Sequence, residues 1–599
     1  MSSRRSLGFQ AATLGVALVG VVCLGHTRRA LSGTFDEGNH LAAGLEWWQF
    51  GTYTLWTENP PLARLAVAAV PYLYGMRLPP RAEWEPKTHD WDRSWEVGTD
   101  LLYAGDGFER NLSRARLGTL PFFLIALASV WGLAGGRRRP AAGLVAVALT
   151  STLPALIAHG ALATTDVAFA GTFLLATLSL WRWFETPTTS RALAVGAAAA
   201  LALLCKFSTL VFFPSALLAL VVARRLAKLP ARPLRGDLPL GWRACAGQLA
   251  LGALAGLLVT WAGYHFSVGR MEDLQTEVKG WLTILPPVTD RRGFMGWLIQ
   301  ARVPMPELFH GLRFLAAHNH TGHDAYLLGK VSEHGFLAFY PIAFLVKTPL
   351  PFILLLMFSL PAIFLPASAL PAFFLPASAR RRPGEWQAAA AALTALGILL
   401  VSLPSHVNLG IRHVFVVLPL LAVAIGHACE RALADRGGRQ RVLGSACLGA
   451  LLLWQVGVAL VAWPRELGYF NALAGAEPAK VLLDSDLDWG QDLFELRRQT
   501  QARGIDNLQI AFFGMLRLCQ HGLPHLQALV PGRETTGWIA ISENYYRARS
   551  SFMLLKDPCN PKSTYSRGQI PASSFAWLHQ YSPVAIAGSS IRLYHLPPR

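Results

Sequence analysis

The sequence predicts an all-α polytopic membrane domain of about eleven transmembrane helices over residues 1–463, with a small C-terminal extracytoplasmic α/β domain over 464–599. Three observations carry this expectation. Long apolar runs recur along most of the chain, basic clusters fall between them with a consistent parity, and short strand-like runs replace both after residue 463.

The 599 residues are 53% hydrophobic, with a mean hydropathy of +0.35. Apolar segments run over 8–27, 115–134, 141–158, 167–184, 192–205, 207–222, 244–264, 337–365, 387–403, 413–429 and 442–463. Most approach the roughly 20 residues that cross a hydrocarbon core. The stretch 192–222 reads either as one long helix or as a hairpin of two short ones, and charge decides between them. The net charge is +18, from 54 Lys and Arg against 36 Asp and Glu. Its basic residues gather at Arg4-Arg5, Arg137 to Arg139, Arg182 to Arg191, Arg224 to Arg243, Arg380 to Arg382 and Arg431 to Arg441. Basic residues in short loops mark the cytoplasmic side. Only the hairpin places every cluster there, so the excess points to a lipid bilayer and not to nucleic acid. Met1 to His26 has a basic start but no convincing small-residue cleavage site, and is read as the first span.

The outer side then receives loops 28–114 and 265–336, the turns 159–166 and 404–412, and the tail. In the tail, Val481 to Leu483, Leu508 to Phe513, Trp538 to Ile541 and Val584 to Ala587 read as strands, with a helix near 490–502. Of 7 Cys, those in or beside apolar runs show no metal spacing. Cys519 and Cys559, in the tail, either pair in an oxidising compartment or stand as free thiols. The near-duplicate PAIFLPASAL (361–370) and PAFFLPASAR (371–380) reads as a linker without chemistry.

The unusual polar residues fall on this outer side. Asp36 and His40 share a helix face four residues apart, at the start of a segment whose Trp47 and Trp48 suit an interfacial helix. Asp36 either caps that helix or stands at head-group level. Glu58-Asn59-Pro60-Pro61 reads as a loop-to-helix turn with Asn59 as cap and Pro60 first in the helix. Its free N–H groups form an anion site, which Glu58 would oppose unless a metal cation lay between. In 159–166, Asp166 either caps the next span or presents a second carboxylate across a cavity. Arg412 and His413 enter the tenth span from outside. There, loop charge and helix dipole both disfavour a cation, by roughly 0.3–1 kcal/mol for the dipole. A bound phosphate or a carboxylate would answer that cost. Lys347, inside an apolar run and followed by prolines, either snorkels or serves a site; Lys206, at the hairpin turn, reads mainly as snorkelling. Asp484 to Asp492 is either an acidic helix start or an oxygen-ligand loop, without EF-hand spacing.

Taken together, six strings resemble the membrane glycosyltransferases of the C fold, nearest the protein O-mannosyltransferase and aminoarabinose-transferase group. They are FDEGNHLAAG (35–44), ENPPLARL (58–65), HGALATTD (159–166), AYLLGKVSEHGFLAFYPIAFLVKTPLP (325–351), HVNLGIRHVFVVLP (406–419) and DSDLDWGQDL (484–493). The resemblance implies transfer of a sugar from a polyprenyl-phosphate donor, on the outer face of a bacterial-type inner membrane, to a protein, lipid or glycan acceptor that the sequence leaves unnamed. It implies Asp36 as base with Glu37 beside it, Asp166 as second carboxylate, and Glu58 near a divalent metal ion with His265 as a further ligand. Lys347, Arg412 and His413 would bind phosphate, and a single displacement would invert the anomeric centre. Where the aminoarabinose branch has Lys between the Glu and the prolines, this chain has Asn59, a departure that argues against that exact substrate. A transporter of a lipid-linked or anionic substrate is the alternative, but it would place polar residues near the midplane between repeats. Within enzymes, an oligosaccharide polymerase or ligase stays open.

Overall fold

A computed structural model describes every residue except 1–2, 82–90, 231–232, 236–237, 271–292, 294–299, 365–385, 435–437, 548–553, 561–562, 564–572 and 599. Residues 365–380 of the duplicated segment, the Arg380 to Arg382 cluster and much of loop 265–336 lie outside the described residues. The chain is a multi-pass membrane protein. Among the described residues, 7 helices are long and apolar enough to cross a membrane, or up to 9 if each bent pair is one span. The bent pairs are Pro140–Ser151 with Pro154–Gly160, at 63°, and Phe339–Lys347 with Leu350–Phe364, at 113°. Proline opens the second member of the first pair. Pro349, with no N–H to donate, separates the members of the second. Thr189–Leu203 and Gln387–Ser402 are shorter apolar helices.

The stretch 192–222 is a hairpin, Thr189–Leu203 and Thr209–Leu226, with Lys206 in its turn. Helix directions then sort the charges. Asp166–Glu185 starts on Asp166 and carries Arg182 about 24 Å further along its axis. At that far end Arg139 approaches Glu430 (3.9 Å), Arg224 lies over Phe184 and Trp386, and Arg431 donates to the Ala362 carbonyl. The basic clusters around these residues thus meet at one end of the bundle, and the chemical motifs lie at the other.

At the motif end, Glu37–Phe50 packs on Pro61–Leu73 and on Trp91–Tyr103. It is buried from Glu37 to Glu46 by protein, where an interfacial helix was expected. Two glycines of the first motif make this possible: a Cβ on Gly38 would press on the Gly98 backbone, and one on Gly44 would strike the Arg64 carbonyl. Pro61–Leu73 begins one residue later than expected, with Pro60 at the cap.

The tail forms a five-stranded sheet in the order Ala585–Ala587, Ile591–Leu596, Gly537–Ser542, Asn507–Ala511, His525–Ala528. Asn507–Ala511 runs parallel to both neighbours and the other pairs are antiparallel. The helix Leu493–Ala502 lies close to its expected place. Val481 to Leu483 is not a strand: it is irregular chain between short 3-10 turns at Pro478–Lys480 and Asp484–Asp486. Alternation alone cannot supply the ladder partner a strand needs.

Cys519 and Cys559 form a disulfide with Cα atoms 5.0 Å apart. It closes a loop over a sequence separation of 40 residues, worth about 4 kcal/mol in the chain-entropy account. Cys519→Ser is expected to lower the unfolding midpoint of the tail. Equal midpoints for oxidised and reduced protein would show that the bond contributes nothing.

Candidate functional site

A cavity of about 210 Å³ opens at the motif end of the bundle. Asp36 occupies the cap position of Glu37–Phe50 but makes no capping hydrogen bond with its side chain. That carboxylate instead faces Arg412, Oδ2 to Nη1, at 3.5 Å. The same Nη1 lies 3.6 Å from Asp166, and Lys206 holds the other Asp166 oxygen at 2.8 Å. Asp166 is 1% exposed and Asp36 is 18% exposed. Asp166 is therefore the fixed counter-charge of both cations, and Asp36 is the carboxylate a substrate can reach. Asp36, Glu58, Lys206, Arg412 and His413 all line the cavity.

Several cavity residues are held from behind. Arg64, fully buried, donates to His40 Nδ1 (3.1 Å), to the Tyr53 hydroxyl (2.8 Å) and to the Trp56 carbonyl. It thereby fixes two cavity residues, the His40 ring by a hydrogen bond and Trp56 through its carbonyl and a guanidinium 4.8 Å over its ring. Arg412 donates from Nε to Ser485 Oγ (3.0 Å) and lies 4.2 Å over the Trp489 ring, a cation–π contact worth about 0.5–2 kcal/mol. The acidic motif of the tail proves to be a clamp. Asp486 accepts from the Ile411 N–H (3.0 Å), Asp488 from the Asn544 N–H (3.0 Å), and Asp492 from Ser589 and Ser590. Its backbone pairs with the loop before Asp36, since the N–H groups of Ser32 and Phe35 donate to the Gln491 and Trp489 carbonyls. One segment therefore fixes both sides of the Asp36–Arg412 gap.

Burial raises the pKa of Asp36; Arg412 opposes the rise, and Asp166 and Asp484 add to it. Burial lowers His40 and His413 well below the usual imidazole value, with further lowering by Arg64 for His40 and by Lys206 and Arg412 for His413. Burial also lowers His318, another cavity residue, to about 4. These rings are neutral at pH 7, so His413 offers a hydrogen bond and not the expected positive charge. Asp486 is pushed up to about 6 by burial, with Lys347 opposing.

Four expected site residues do not line the cavity: Asp166, which sits behind Lys206 and Arg412, and Glu37, Lys347 and His265. Glu37 is fully buried in an ion pair with Arg116 (2.7 Å), and its oxygens also accept from the Thr34 and Ala163 N–H groups. Lys347, at the elbow of the bent pair, donates to the Leu467 (2.8 Å) and Asp486 (2.6 Å) carbonyls and lies over Phe470. Its charge is spent on loop backbone and not on a ligand in the cavity. His265 packs edge-on against Trp47, with ring centroids 5.3 Å apart. Lys206, read mainly as snorkelling from the sequence, is a cavity residue. The signal was its place between two short apolar helices.

The family model described as dolichyl-phosphate-mannose-protein mannosyltransferase matches residues 108–234. The match bears out the resemblance drawn from the motifs, over a stretch that holds Arg116, the Asp166 turn and Lys206. No curated protein matches the sequence. Among solved structures, ArnT from Cupriavidus metallidurans is similar in its apo state, with 14% identity over 93% of this chain and 97% of that one and a TM-score of 0.47. The same protein bound to undecaprenyl phosphate gives 15% identity over 77% and 71%, with a TM-score of 0.44. The Archaeoglobus fulgidus oligosaccharyltransferase in its apo form gives 13% identity over 77% and 55%, with a TM-score of 0.37.

Proposed function

We propose that this chain is a glycosyltransferase that moves a sugar from a polyprenyl-phosphate donor to an acceptor on the outer face of a bacterial-type inner membrane. The observation that carries the reading is the reachable carboxylate of Asp36 facing Arg412, with Lys206 in the same cavity. Asp36 takes the proton from an acceptor hydroxyl or amine, whose oxygen or nitrogen attacks the anomeric carbon. The bond from that carbon to the phosphate oxygen breaks, and the polyprenyl phosphate leaves as an anion toward Lys206 and Arg412. Fixed cations beside the leaving oxygen stabilise the charge that grows there. One displacement inverts the anomeric centre. A cavity at one end of the bundle favours this reading over a transporter, whose site belongs near the midplane.

No group of three or more His, Cys, Asp or Glu that could hold a metal ion occurs among the described residues, so no step is routed through one. A hard divalent ion is commonly held by one or two carboxylates plus substrate phosphate. Glu58, on the cavity wall, is the side chain that would take that part.

The reading takes eleven spans, counting Thr189–Leu203 and Gln387–Ser402 with the longer helices and bent pairs, and places residues 464–599 outside. Reporter fusions after residues 139, 228 and 434 are expected to report the cytoplasm, and a fusion after 598 the opposite side. A cytoplasmic tail would overturn the topology and the outer-face chemistry together.

The decisive assay offers the purified protein several polyprenyl-phosphate sugars with candidate protein, lipid and glycan acceptors. The expected result is release of polyprenyl phosphate matched by a sugar mass increment on an acceptor. Donor transport across vesicles without any such increment would favour the transporter.

A further inference from the structure

A second basic site lies at the same end of the bundle, outside the walls of the Asp36 cavity. Helix Ser3–Ala30 ends on Arg28 and Arg29, and helix Phe108–Ala115 carries Glu109, Arg110 and Arg114. A cavity of about 400 Å³ opens beside them, lined by these four arginines, by Glu109, and by apolar side chains that include Leu31, Leu112 and Phe494. Four cations and one carboxylate line it, and Asp106, paired with Arg114 beside it, is a second acid, so a positive excess remains. Glu109 is engaged by Arg497 at 3.2 Å. Arg114 pairs with Asp106, and Arg28 donates to the Ser113 carbonyl at 3.0 Å. Arg29 and Arg110 are exposed; among the described residues neither makes a direct ion pair, and Arg110 acts on Asp106 only at longer range.

The C-terminal dipole of the first helix favours Arg28 and Arg29 where they are. It does not account for Arg110, in the first turn of its own short helix, where the dipole disfavours a cation. Nor does the general charge pattern, because the other basic clusters gather at the opposite end of the bundle. The site also lies where a spanning helix leaves the apolar core, which is the depth of lipid phosphates. Guanidinium groups bind phosphate oxygens with paired, charge-assisted hydrogen bonds. Apolar side chains at the same opening suit the first methylenes below a head group.

We propose that this cavity binds the phosphate-bearing head group of an anionic phospholipid from the surrounding leaflet. Arg29 and Arg110 are its principal contacts, and Arg28 and Arg114 hold the opening. None of the four lines the Asp36 cavity, so the site stands whether or not the transfer reaction does.

The full-length protein in neutral detergent would be titrated with phosphatidylglycerol, phosphatidylcholine and inorganic phosphate, and bound lipid read by native mass spectrometry. Phosphatidylglycerol is expected to be retained about tenfold over phosphatidylcholine. Arg29→Gln with Arg110→Gln should remove most of that preference, and Arg29→Lys with Arg110→Lys should keep part of it. Thermal unfolding should not change, because both side chains are exposed. Equal retention of the two lipids would overturn the proposal. So would an unchanged preference in a folded Gln variant, or displacement of phosphatidylglycerol by millimolar inorganic phosphate, which would mark a site for free anions.

Discussion

Asp36→Asn is expected to slow sugar transfer by about 10²–10⁴, the range for loss of a positioned general base, with the fold intact. The amide keeps the size of the side chain and cannot accept the acceptor's proton. Arg412 retains Asp166 as counter-charge at 3.6 Å, so the variant does not strand a cation. Stability points the same way. The folded-state pKa of Asp36 is raised, first by burial. Its stabilising contribution is therefore present below the unfolded value and is lost as pH rises through the folded one. At pH 7 the Asn variant should be at least as stable as the parent, and its stability should depend less on pH. In the parent, transfer should fall as pH drops through the folded-state pKa of Asp36, above the ordinary aspartate value of about 3.9. Full activity in a folded Asn variant would remove Asp36 from the mechanism, and Glu58, the other carboxylate from the first outer loop on the same cavity, would be examined next.

Glu37→Gln is expected to destabilise the protein by about 3–5 kcal/mol, because it leaves the buried Arg116 guanidinium without its counter-charge. Both side chains of this pair are 0% exposed. Arg116 also donates to the Arg28, Leu31 and Ser32 carbonyls, and Glu37 accepts from the Thr34 and Ala163 N–H groups. The pair thus ties the end of the first span, the Asp36 loop and the Asp166 turn together. Sealed from the cavity, the pair is proposed to position the two aspartates that meet Arg412. Replacing both partners by Met should cost less than replacing either alone, since no buried charge is then left over. A Glu37→Gln protein with the parent's unfolding midpoint and no transfer activity would return Glu37 to the chemistry.

The alternatives at Arg412 separate on the same footing. Sequence reasoning left its compensation open between phosphate and carboxylate, because loop charge and helix dipole demand an anion without naming it. The structure supplies Asp36 and Asp166, each at the long end of ion-pair distance (3.5 and 3.6 Å), on a side chain that also lines the cavity. A donor phosphate would therefore join an existing network and not replace it.

What the sequence by itself determined is what one-dimensional physics can carry. Apolar runs of bilayer length made the chain a membrane protein. The parity of basic clusters turned 192–222 into a hairpin, and the motif order located Asp36, Glu58, Asp166 and Arg412. Those signals are local, or they depend on counting along the chain. Tertiary structure alone decided which polar residues face a cavity. Glu37 and Asp36 are neighbours in sequence, yet one is sealed against Arg116 and the other opens toward Arg412. Lys347 and Lys206 both stood out as cations in apolar surroundings, yet one is used by backbone carbonyls and the other holds Asp166 on the cavity wall. The acidic motif at 484–492 could not be read because its partners, Ile411, Asn544, Ser589 and Ser590, lie on separate stretches of chain. A buried charge takes its meaning from its partner, and partners far apart in sequence meet only when the chain has folded.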